Sequence, residues 1–203
     1  MKLFPILLLL LLSAVCSTPP NNGGQSSFAG QKEGQLKLDL PNWEPGFLEE
    51  IKQRSQRAGI SDLRSVRLLK DDLEVRMWVG FATDPLKGFV IKRSDGQWSA
   101  TYLMPIDPKS PRHNHQQKLS EPTSGWEAFW DRLTNKGILT LPDSTKLGEE
   151  VIFPDAEYYV VEVNTGEMYR AYKYAVPEYQ KWPEAKRMAE IIEIIFSEFG
   201  IKR

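Results

Sequence analysis

The sequence predicts an α+β fold, an antiparallel sheet of hairpins and meander packed by about three amphipathic helices. Three observations carry the prediction. Leu73, Val75, Met77, Val79 and Phe81 alternate with Glu74, Arg76, Trp78 and Gly80, the period-2 pattern of a half-buried strand. Hairpin signals centre on Ser94-Asp95-Gly96 and Asn164-Thr165-Gly166, each with apolar runs on both sides. Met188, Ile191, Ile192, Ile195 and Phe199 follow the 3.6-residue period of a helix that buries one stripe.

The chain opens on MKLFPILLLLLLSAVC. Its apolar run, Leu3 to Leu12 with Pro5 inside it, is shorter than the roughly 20 apolar residues a transmembrane helix needs, and it reads as a signal peptide. Ser13, Ala14, Val15 and Cys16 resemble the cleavage region of bacterial lipoproteins, in which the cysteine becomes the first residue and carries acyl chains. That resemblance spans residues 1–16 and departs from the usual pattern at Ser13 and Val15. It implies a membrane anchor through Cys16, and in a Gram-negative cell Ser17 resembles outer-membrane sorting. Ordinary secretion is the other reading, with cleavage after Cys16 or Ser17 and the small pair Ala14/Cys16 or Val15/Ser17 before the cut.

Residues 17–35, rich in Pro, Asn, Gly, Gln and Ser, read as a flexible tether. The remaining residues, 36–203, suit a single α+β domain with its own core. With 26 Lys and Arg against 27 Asp and Glu, the balance gives no basic surface for a polyanion, so nucleic acid is not an expected partner. Cys16 is the sole cysteine, so packing rather than a disulfide must stabilise the domain. Six tryptophans and seven tyrosines supply large areas for that packing.

Along the domain, Pro45 to Ala58 is the first expected helix, with Phe47, Leu48, Ile51 and Ala58 on one face and Gly59 as its stop. Val66 to Leu69 and Leu73 to Phe81 are expected strands around Lys70-Asp71-Asp72. Leu86 to Arg93 and Gln97 to Met104 form the next hairpin, around a three-residue loop, and together these four make a meander. Pro105 to Thr123 breaks all periodicity and is read as a long loop. Ser124 and Glu127 then supply a capping box for a helix carrying Trp126, Phe129, Trp130 and Leu133, which Asn135-Lys136-Gly137 ends. Ile138 to Leu141 and Val151 to Phe153 are expected as short extended pieces.

Glu157 to Tyr174 is the clearest hairpin. A three-residue loop pairs Val163 with Glu167 and Val160 with Arg170. It places Tyr158, Glu162, Met168, Arg170 and Tyr172 on one face, and Tyr159, Val161, Val163, Tyr169 and Ala171 on the other. A two-residue turn would reassign those faces. The last helix runs from about Pro183 to Phe199, closed by Gly200.

Chemistry is sparse. His113 and His115 lie in the long loop, two positions apart and downstream of Asp107, but H-x-H supplies only two of the three or four ligands a metal needs, so a solvated loop is expected and no metal or other cofactor. No G-x-S-x-G elbow and no glycine-rich phosphate loop is present. Acidic pairs such as Asp71/Asp72, Glu149/Glu150 and Asp155/Glu157 read as solvated turns. The aromatic residues say more. Exposed Tyr158, Tyr172 and Trp98, with Glu162 and Arg170 beside them, would make a ligand face, whereas helices over both sheet faces would bury the same rings.

GWEAFWDRLTNKGILTLPDS and YYVVEVNTGEMYRAYKY are similar to segments of uncharacterised bacterial proteins, a resemblance that implies no activity. The sequence therefore leads to an exported, lipid-anchored envelope protein acting as a non-catalytic binding or interaction module. Its partner would be an envelope protein or a small-molecule ligand. The alternatives are a cell-envelope or periplasmic hydrolase using acidic residues or the His113/His115 loop, and a structural lipoprotein with contacts spread over a flat surface.

Overall fold

The computed structural model describes residues 36–43, 46–81, 85–105, 116–151 and 153–203, all within one compact unit. Cys16, the tether at 17–35, Asp107, His113 and His115 lie outside the described residues. The fold is α+β: seven strands in one mixed, mostly antiparallel sheet, with three helices. The strands are β1 (Lys37–Asp39), β2 (Leu73–Gly80), β3 (Lys87–Ser94), β4 (Gln97–Leu103), β5 (Gln116–Lys118), β6 (Tyr158–Asn164) and β7 (Met168–Ala175). They lie in the order β1-β7-β6-β2-β3-β4-β5, and only β1 runs parallel to its neighbour. The helices are α1 (Gly46–Arg57), α2 (Trp126–Asn135) and α3 (Pro183–Glu198).

Helices cover both sheet faces. Val75, Met77, Val79, Ile91, Val161, Val163 and Tyr172 pack under Phe129 and Leu133 of α2 and the isoleucines of α3. Trp78, Val160 and Leu103 pack on the opposite face under Ile51 of α1, joined by Trp43, Phe47 and Leu48. β2, at the centre of the sheet, is therefore buried along its whole length and not half-buried as its alternation suggested. The alternation itself is correct as far as Val79. Phe81, at φ 71°, then turns back to the α1 side, where its ring lies 5.1 Å from Phe47.

The α1 face has room for an indole because of one glycine. Gly88 is the register partner of Trp78, and a Cβ at that position would come within 2.8 Å of the Trp78 ring. α1 ends as the sequence indicates: Gly59 has φ 70°, and Ile60 N–H and Gly59 N–H donate to the carbonyls of Ser55 and Gln56.

Several elements differ from expectation. Residues 66–69 form no strand, because Asn164 Nδ2 donates to the carbonyls of Leu63 and Val66 and holds this segment across the end of the β6–β7 hairpin. β2 takes β6 as its second neighbour instead. The β3–β4 loop has two residues, Asp95 (φ 50°) and Gly96 (φ 74°), and Ser94 pairs with Gln97. This is a primed turn, whose twist matches the strands it joins. The expected long loop contains β5, paired with Thr101–Leu103.

Residues 138–141 form turns, not a strand, with Thr140 and Leu141 N–H both donating to Gly137 O. Val151 and Phe153 lie in no strand either. α2 begins without the capping box: Gly125 is its N-cap at φ 81° and no side chain caps it.

In the β6–β7 hairpin Asn164 pairs with Tyr169 and Val163 with Arg170, a shift of three residues from the expected pairing. The cause is Asn164, which lies in the strand and accepts the Gly166 N–H at 2.8 Å through its side chain. A shift by an odd number moves every β7 side chain to the opposite face relative to β6. Arg170 and Tyr172 consequently share a face with Val161 and Val163, while Tyr169 and Ala171 share one with Glu162.

Candidate functional site

The residues nominated as a ligand face are divided between two faces and largely sealed. Tyr172, 0% exposed, donates its hydroxyl to Ile138 O at 2.7 Å, and Arg170 donates to the carbonyls of Leu139 and Leu141 at 2.5 and 2.6 Å. These bonds satisfy the irregular 138–141 segment, whose backbone has no strand to pair with. Trp98 of β4, on the same face, is half-buried against α2, with its ring 4.9 Å from Trp130 and nearly parallel to Trp126 at 6.0 Å. Its remaining partner is the Arg93 guanidinium, 5.4 Å from the ring.

Tyr158 and Glu162 lie on the α1 face. Tyr158 is half-buried against Phe47, and the Lys173 ammonium sits 5.3 and 5.4 Å from their two rings. Glu162 is 1% exposed and both its oxygens are taken: Oε2 accepts the Trp78 indole N–H and Oε1 the Tyr169 hydroxyl, each at 2.7 Å. Its register partner Arg76 turns instead to Glu74, at 2.6 Å, and to Ser61 O, at 2.8 Å. Burial pushes the Glu162 carboxyl above the ordinary glutamate range, against the pull of Arg76 and the two donors. Burial and the adjacent Glu162 likewise drive the Tyr169 phenol far above the usual tyrosine range. A carboxylate so enclosed holds β6, β2 and β7 together and has no lone pair turned to a substrate.

Open surface lies elsewhere. Val151, Phe153 and Tyr179 are 39%, 37% and 62% exposed, and the Phe153 and Tyr179 rings meet at 5.2 Å. Gln180 fixes this patch by accepting the Val151 N–H and donating to Val151 O, each at 2.9 Å, and by donating to Ala175 O at the end of β7. The chain reaches Tyr179 through Val176, which has φ 34° and ψ 62°. A β-branched residue in the left-handed region is strained, and such strain gathers where a surface has a task.

The chain next to these rings is polar: Asp155, Glu178 and Lys181 flank Phe153 and Tyr179 in sequence and are all exposed. An apolar centre with a polar rim is the composition of a contact surface. The sequence predicts an extended piece over 151–153 and does not single out Tyr179. The available signal was an aromatic residue in the polar, proline-bounded stretch PEYQKWPE, where a ring has no strand or helix to bury it.

A second open feature is a groove of about 480 Å³ between the end of α2 and α3, lined by Arg132, Asn135, Lys136, Glu190, Glu193 and Ile194. Two of these lining residues, Lys136 and Glu190, pair with each other at 2.7 Å. Among the described residues no group of three His, Cys, Asp or Glu side chains could hold a metal ion, and no helix is long and apolar enough to cross a membrane. The chain matches no protein-family model and no curated protein.

Proposed function

We propose that the chain is an exported protein, anchored by acyl chains on Cys16, whose α+β domain is a non-catalytic module that binds another envelope protein through Val151, Phe153 and Tyr179. The observation that carries the binding surface is the exposed Phe153–Tyr179 ring pair, held out by a strained turn at Val176. Rings in contact with each other but open to water gain most by burial against an apolar partner. The sequence before Lys37 supports the anchor: an apolar leader, a single cysteine at its end and a polar segment long enough to set the domain off a membrane surface.

Two measurements test the two halves separately. Mass spectrometry of the protein made in its own host should find Cys16 at the N-terminus carrying acyl chains; a mature start after Cys16 removes the anchor. A photo-crosslinking residue at Tyr179 should capture one discrete envelope protein, with the same residue at Lys52 of α1 as control. Equal capture from both positions removes the patch.

A further inference from the structure

Among the described strands β1 is the last on its side of the sheet, and all three of its residues are exposed. Leu38 is 49% exposed and Leu40, just past the strand, 45%. The Lys37 N–H donates to Glu167 O at 3.0 Å and so points towards β7. Hydrogen-bonding direction alternates along a strand, so Leu38 turns its own N–H and C=O outward, to the side away from β7. An outward donor and acceptor beside an open apolar side chain form a template for one more strand.

The residues of β1 say which strand fits. Read antiparallel against itself about Leu38, the sequence KLD sets Leu38 of one copy opposite Leu38 of the other, the two exchanging both backbone bonds, and sets Lys37 of each copy opposite Asp39 of the other. Opposite charges directly across an antiparallel pair contribute about 0.2–1 kcal/mol, and two-fold symmetry supplies the pair twice. Asp39 has room for it: its side chain is 47% exposed, with its own Arg170 3.8 Å away. One step further out, Leu40 of each copy falls opposite Leu36 of the other. Leu36 is buried with Leu63 and Tyr169, so the exposed Leu40 would extend an apolar cluster already formed. The strand at the other end of the sheet, β5, has no such symmetry. Its sequence QQK would set Lys118 against Gln116 and carries no apolar residue.

We propose that β1 pairs antiparallel with β1 of a second copy of this chain, centred on Leu38, so that one sheet runs through two molecules across a two-fold axis. So short a contact suits a weak dimer. β1 pairs with the start of β7, whereas Tyr179 follows its end, so this surface is separate from the Val151/Phe153/Tyr179 patch and does not depend on it.

Disulfide trapping of the purified full chain tests the register and captures a weak dimer. The Cα atoms of a hydrogen-bonded antiparallel pair lie about 5.5 Å apart, within reach of a disulfide. Mild oxidation of Leu38→Cys should give a link from position 38 to position 38, identified by peptide mass spectrometry. Leu40→Cys should give few 40-to-40 links, because the register sets those positions about 14 Å apart. Gln53→Cys, exposed on α1, measures chance collision. Adding Lys37→Asp to Leu38→Cys puts like charges opposite each other twice and should lower the yield about tenfold. Equal yields from positions 38, 40 and 53 overturn the proposal, as does an undiminished yield with Lys37→Asp. If residues 17–35 of the same chain or a different protein take this edge instead, no 38-to-38 link forms and the proposal falls. Should Leu38→Cys fail to fold, a mixture of Lys37→Cys and Asp39→Cys chains decides: links from 37 to 39 support the pairing, and their absence overturns it.

Discussion

Trp78 and Glu162 meet across the β2–β6 pair, with the indole N–H 2.7 Å from a carboxylate oxygen that is shut off from water. The other oxygen holds Tyr169 of β7, so one side chain ties three adjacent strands on the face beneath α1. Removing it strands two buried donors, each at a cost of about 1–3 kcal/mol. Glu162→Leu should therefore destabilise the domain by about 3 kcal/mol or more. Glu162→Gln keeps one acceptor oxygen and should cost only about 1 kcal/mol. Urea unfolding compares the two, and equal losses would show that the two hydrogen bonds contribute little.

The same carboxyl gives stability a pH dependence of definite sign. Burial raises its pKa in the folded state above the value in the unfolded chain. The folded state then binds the proton more tightly, so this contribution is fully present below the unfolded pKa and is lost as pH rises through the folded one. Glu162→Gln does not titrate. Its stability relative to the native protein should accordingly improve as pH rises from the ordinary glutamate range to the raised value, then level off. Unfolding free energies of the two proteins from pH 4 to 8 measure the difference, and a trend in the opposite direction contradicts the assignment.

How far the sequence shows this arrangement depends on whether a feature is local. The alternation of β2 and the apolar stripe of α3 are repeating patterns within one segment, and both are found where the residues indicate. β1 and β5 are the three-residue pieces KLD and QQK, with no apolar period, and they exist because β7 and β4 offer edges to pair with. The face on which Arg170 and Tyr172 lie depends on the parity of one loop. That parity is decided by the Asn164 side chain accepting the Gly166 N–H, a bond that does not show in a turn motif alone. The exposed patch was hidden for a related reason, since which rings remain uncovered depends on where helices pack across the whole sheet.

A long-range contact also replaces the expected start of α2. Glu198, in the last turn of α3, accepts the Ser124 N–H at 2.8 Å and pairs with Arg132, while the Thr123 N–H donates to the Glu198 backbone carbonyl. The carboxylate thus holds the residue before the Gly125 N-cap, and Arg132 in the last turn of α2, from another helix. Glu198→Ala should cost about 1–2 kcal/mol, comparable to the loss of a helix cap. Ser124→Ala, which would be costly in a capping box, should change stability by less than about 0.5 kcal/mol. Chemical unfolding of the two variants separates the cases, and the reverse order would restore the local cap.

Val176 connects the strain of the fold to its exposed rings. A side chain in the left-handed region costs roughly 1–2 kcal/mol, and glycine escapes that penalty but adds disorder to the unfolded chain worth about 0.5–1 kcal/mol. The balance predicts that Val176→Gly stabilises the domain by about 0.5 kcal/mol, a rise in melting temperature of about 1–2 °C at this chain length. Most substitutions to glycine destabilise, so the sign is informative. The turn would also become looser, and Tyr179, which bonds through its N–H to Val176 O at 2.9 Å, would be held out less firmly. Val176→Gly should therefore raise stability while lowering the crosslinking yield from position 179. A melting temperature below that of the native protein would show that Val176 is not strained, and unchanged crosslinking would separate the turn from the binding surface.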